Sequence, residues 1–95
     1  MPFEQCFPRA LTPASVRAYA PAASGMYGIS SAREWIYISE TASIQSALLL
    51  HLDDRNTALM KSQPTGFVYE VCNPESWQSR KNRLILEYGP RFNRA

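Results

Sequence analysis

The apolar positions of this chain change their period several times, and the changes mark out its elements. Around Met26, Tyr27 and Ile29, and again through Trp35-Ile36-Tyr37-Ile38, aromatic and β-branched residues gather in short runs. The polar Ser30-Ser31-Ala32-Arg33-Glu34 joins them. Two such runs at this spacing predict paired antiparallel strands. The period then lengthens: Ile44, Ala47, Leu48, His51 and Leu52 recur at helical offsets, which predicts one buried helical stripe with Thr41 as its cap. Residues 53–63 are polar and read as a loop. Pro64-Thr65-Gly66 introduces a third strand, Phe67-Val68-Tyr69-Glu70-Val71-Cys72, with Phe67, Tyr69 and Val71 on one face. Asn73 and Pro74 open a second helix as cap and first residue, and Gly89-Pro90 close it, with Trp77, Lys81, Leu84, Ile85 and Tyr88 on one side. This order predicts an α+β domain: a small, three-stranded, mainly antiparallel sheet flanked by helices. Ahead of it, four of the seven prolines fall within residues 1–23, which read as an extended Pro-rich N-terminal segment, helical at most over 14–20. The domain proper spans 24–95.

Composition narrows the class. Ninety-five residues allow one core, and 45% hydrophobic content is enough to fill it, which excludes disorder over the whole chain. The longest apolar run, Ala47-Leu48-Leu49-Leu50, stops at His51 and is far short of the ~18 residues of a membrane span. The first residues lack the basic start and apolar stretch of a secretion signal, so a cytoplasmic location is expected. Cys6 and Cys72 stand far apart, without partners at metal-ligand spacing, and predict free thiols that are buried or half-buried. The net charge of +2 names no partner by itself. Its distribution is uneven, since five of the ten basic residues (Arg80, Lys81, Arg83, Arg91 and Arg94) follow position 79 with Glu87 as their only acidic neighbour. Such a cluster attracts phosphate, or forms a solvated helix face and tail.

One constellation carries chemistry. Tyr27 ends Gly25-Met26-Tyr27, and ten residues later Tyr37 opens Tyr37-Ile38-Ser39. Thr41 follows two positions on, His51 ends the first helix, and Pro90-Arg91-Phe92-Asn93 closes the chain. In this order and spacing the chain resembles the GIY-YIG nuclease domain over residues 24–93. The resemblance implies a site built from the two motif tyrosines, an arginine on the first helix and a glutamate on the last. The glutamate would hold a divalent metal, magnesium or manganese, the arginine would stabilise the charged phosphate, and a tyrosine would help activate water. Counted from Tyr37, the arginine position falls on Ala47. Counted back from Asn93, the glutamate position falls on Lys81, and the glycine of the second motif is Ser39.

A lysine at a metal ligand's position repels the cation and offers its own charge to a phosphate. The resemblance therefore implies a degenerate, catalytically impaired domain that needs no metal or cofactor and serves as a nucleic-acid-binding or interaction module. Tyr27, Tyr37 and His51 are its candidate catalytic residues, and Arg80, Lys81, Arg83 and Arg91 its candidate phosphate contacts, with DNA as partner. Two alternatives stay open. One is an active, divalent-metal-dependent DNA endonuclease with relocated groups, Arg33 or Arg80 for the clamp and Glu40 for the metal. The other is a protein-interaction domain that ignores nucleic acid. Each residue also has a plainer reading: cross-strand packing for the tyrosines, a half-buried helix-end residue for His51, a packed stem with its amine in water for Lys81. Glu70 alternates away from Phe67 and Tyr69, Glu87 faces solvent, and Asn93 pins the chain end by hydrogen bonds.

Overall fold

In the first hairpin, β2 (Gly25–Ser30) and β3 (Trp35–Thr41) pair antiparallel, but Ser30 faces Trp35 while Ile29 faces Tyr37, so Ile36 is an extra residue with no partner across the ladder. This bulge turns Ile36 and Tyr37 to one face of the sheet, and leaves Trp35 and Ile38 on the other. The computed structural model describes residues 8–32, 34–54 and 56–93. Cys6, Arg33 and Arg94, named above, lie outside the described residues.

The expected third strand is β4 (Gly66–Val71), which pairs antiparallel with β2, so the strand shared by both ladders is the one carrying Tyr27. A fourth, two-residue strand, β1 (Arg9–Ala10), adds to the outer edge of β4, giving the order β1-β4-β2-β3. The α+β class and antiparallel pairing hold, and the sheet has four strands rather than three. The sequence hides β1 because two residues carry no alternation to read.

Helix α1 (Pro13–Tyr19) starts on Thr12, whose hydroxyl accepts from the Ser15 amide, and it drops Val16 into the core. Helix α2 (Ile44–Asp53) buries Ile44, Leu48 and Leu52, the expected stripe. Its cap is Ser43, whose hydroxyl accepts from the Ser46 amide; Thr41 instead accepts from the Ser43 amide at 3.1 Å and shapes the approach to the cap. The segment read as loop contains one helical turn, α3 (Ala58–Lys61), capped by Thr57 and anchored by buried Leu59. A 3-10 turn at Pro74–Ser76 leads into α4 (Trp77–Tyr88); Asn73 precedes it without a side-chain capping bond. Helix α4 ends at Gly89, whose φ of 57° is open to glycine and costly for other residues. A final 3-10 turn, Arg91–Asn93, lies against β3.

The sheet thus has two covered faces. Tyr27, Ile29, Ile36 and Phe67 pack with residues of α1, α2 and α3, among them Val16, Leu48 and Leu59. Met26, Ile38 and Val68 pack on the other side with Leu84 of α4, bordered by Trp35, Trp77 and Tyr88. Apolar burial on both faces supplies the main driving force for a chain this small. Among the described residues, no helix is long and apolar enough to cross a membrane.

Candidate functional site

The motif glycine Gly25 is explained by packing before any chemistry. A Cβ there would sit 2.1 Å from the Glu70 carbonyl oxygen of β4, so only glycine lets the two strands approach and Tyr27 take its place. From that strand Tyr27 points to the α2 side, where it is 5% exposed. Its hydroxyl lies 2.9 Å from His51 Nε2 on α2, and Tyr37 of β3 completes the group, its ring 6.2 Å from that of Tyr27 and 5.8 Å from the imidazole. The two motif tyrosines and the single histidine, 24 positions apart at the extremes, therefore form one aromatic cluster.

Its protonation is set by burial. Burial holds the Tyr27 phenol well above its usual range, helped by Tyr37 and by the charge of Glu40. Burial also lowers His51 below the ordinary imidazole value. At neutral pH the phenol is protonated and the imidazole neutral. In the tautomer with its proton on Nδ1, Nε2 accepts from the phenol, and the pair forms a short proton path ending at a neutral base.

The opposite side of the sheet carries charge. Met26 faces Glu40 on β3 and Glu70 on β4, so one cross-strand row holds two carboxylates flanking a methionine. The consecutive residues Arg80 and Lys81 of α4 grip them from above. Arg80 Nε lies 2.6 Å from Glu70 Oε2 with a second nitrogen on Oε1, and Lys81 Nζ lies 3.2 Å from Glu40 Oε2. Glu40 joins the two halves: it follows Ser39, which faces Tyr27 across the β2–β3 ladder, and its charge bears on the Tyr27 phenol.

The other candidates are dispersed. Ala47, on α2, is half-buried beside the first core cluster. Arg83 and Glu87 are exposed on α4. Arg91 lies 3.4 Å from the exposed Glu34. Asn93 pins the chain end as expected: its Oδ1 accepts from the Ile38 amide at 2.7 Å and its Nδ2 donates to the Ile38 carbonyl at 2.9 Å. Cys72 is a half-buried free thiol, pushed up by burial. Sequence reasoning missed the Arg80–Glu70 pair. Strand alternation puts Glu40 and Glu70 on one face, but only the register sets them opposite the same residue.

This architecture is that of the GIY-YIG endonuclease domain. Three solved structures of the N-terminal endonuclease domain of UvrC from Thermotoga maritima are similar to the chain. One, a point mutant bound to its catalytic divalent cation, is 20% identical with a TM-score of 0.69 over 84% of this chain and 96% of that one. A second, bound to magnesium, is 20% identical with a TM-score of 0.68 over 83% and 96%. A third, another point mutant with its cation, is 19% identical with a TM-score of 0.67 over 81% and 92%. At this identity the likeness establishes the fold. No protein-family model matches the chain, and no curated protein matches it in sequence.

Glu40 is a poor setting for a divalent cation. Among the described residues no three His, Cys, Asp or Glu groups converge. Glu40, the fallback ligand, already faces an ammonium at 3.2 Å, and a dication beside Lys81 would meet like charge.

Proposed function

We propose that this chain is a GIY-YIG-fold domain whose metal-dependent hydrolysis is lost or severely impaired, and that it engages the phosphate backbone of nucleic acid as a binding module. The observation that carries the reading is the Lys81–Glu40 ion pair, on the helix and strand where the family's pattern calls for a metal-holding carboxylate. Hydrolysis of a phosphodiester needs charge on the phosphoryl oxygens and a polarised nucleophile. Here the expected arginine position is Ala47, and Lys81 is answered by Glu40. The Tyr27–His51 pair retains a base.

The basic cluster is quieter than its sequence. Arg80, Lys81 and Arg91 each face a glutamate, on β4, β3 and the β2–β3 connection. Binding through a few such residues is weak and strongly salt-dependent, since each phosphate contact adds about one unit to the salt slope. One observation favours the second reading, an active nuclease using Glu40: that residue directly follows Ser39, which faces Tyr27 across the β2–β3 ladder. The experiment is to incubate the chain with supercoiled plasmid and manganese or magnesium, and to measure duplex binding from low to moderate salt. Salt-sensitive binding without cleavage is expected. Cation-dependent nicking abolished by Tyr27→Phe would establish the nuclease instead, and absence of both binding and nicking would leave the protein-interaction reading.

A further inference from the structure

The two ion pairs beneath α4 are built differently. Arg80 meets Glu70 with two nitrogens, and these side chains are 19% and 11% exposed. Such a fork-to-carboxylate contact is directional and holds the helix on the sheet. Lys81 meets Glu40 with one nitrogen, 3.2 Å and 3.5 Å from the two carboxylate oxygens, and the side chains are 28% and 31% exposed. Water reaches this second pair, and partly exposed Lys–carboxylate pairs are weak. It is the pair that can open while the other keeps α4 in place.

The Glu40 carboxylate presents two oxygens to the ammonium, as a phosphodiester presents its two non-bridging oxygens. Building on the binding reading above, we propose that Glu40 is an internal competitor for the phosphate: a nucleic-acid backbone binds by replacing the Glu40 carboxylate at Lys81. One ammonium is exchanged between two anions, and the resting domain neutralises its own binding charge. The affinity for nucleic acid is then set by Glu40 as much as by Lys81.

The test uses a fluorescein-labelled 20-base-pair DNA duplex at low salt and four variants of the full chain. Glu40→Gln keeps the side chain's shape and removes its charge, and is expected to bind about threefold to fivefold more tightly, the scale of the weak ion pair it removes. In a Lys81→Ala background the same substitution gains nothing. Glu75→Gln, which removes an equal charge from the exposed 3-10 turn before α4 without touching the Lys81–Glu40 pair, gives a smaller gain than Glu40→Gln. Unchanged or weaker binding by Glu40→Gln would overturn the proposal. So would an equal gain without Lys81, an equal gain from Glu75→Gln, or no binding by any form. Plasmid cleavage by the unmodified chain would overturn the impaired-nuclease reading and leave the anion exchange standing, so the two fail separately.

Discussion

His51 is where one side chain decides how the aromatic cluster responds to pH. Its imidazole is held below the ordinary value of 6.5 by burial, and it lies against the Tyr27 hydroxyl. A base with a depressed folded-state pKa binds its proton more readily in the unfolded chain. Its contribution is therefore intact above the unfolded value and is lost as pH falls from about 6.5 toward the lower folded value. Thermal melts across pH 5–8 should show stability falling on acidification, and His51→Gln should flatten that slope. A slope unchanged by the substitution would mean that His51 titrates as a free residue. The Tyr27–His51 contact was only half legible in the sequence. The tyrosine came from its motif and the histidine from its helical stripe, but the 2.9 Å between them depends on how α2 crosses the sheet, which no local pattern encodes.

Helix and strand ends carry the next level of the account. Strand β3 is an edge strand, and the Ile38 amide and carbonyl both turn away from β2, where Asn93 meets them as a neighbouring strand would. Together with the bulge at Ile36, the clip blunts an edge rich in β-branched and aromatic residues. Asn93→Ala should cost about 1–3 kcal/mol by leaving that amide and carbonyl unpartnered, read as a lowered melting midpoint. It should also promote self-association in sedimentation as concentration rises. At the other end of α4, Gly89→Ala should cost about 1 kcal/mol. Nothing lies within 4 Å of a Cβ placed there, so the loss comes from backbone conformation alone.

At this scale the long periodic segments were readable: α2, α4, β3 and β4 stand close to where alternation and helical spacing put them. The short pieces were not. Strand β1 and helix α3 are each under five residues, too brief to show a period, and both exist because the surrounding core orders them. The Thr41 and Ser43 hydroxyls compete for the same role two residues apart, and only the path of the chain settles that Ser43 caps α2.

For the whole molecule, the two faces of the sheet divide the work. The α2 face holds the aromatic cluster and the α4 face holds the ion pairs, and at the end of β3 the consecutive Ser39 and Glu40 face Tyr27 and Met26 across the ladder. The C-terminal excess of basic residues, conspicuous in the sequence, is largely met by glutamates from the strands and the hairpin connection. Charge counted along the chain could not reveal this, because those glutamates lie 10, 41 and 57 positions from their partners and come into reach only on folding. The fold is that of a nuclease domain, and the proposed loss of hydrolysis turns on two positions, Ala47 and Lys81. The most direct measurement compares the unmodified chain with Ala47→Arg/Lys81→Glu on supercoiled plasmid in manganese. No nicking by the unmodified chain, and nicking gained by the double variant, is the predicted result. Efficient manganese-dependent cleavage by the unmodified chain would contradict the account.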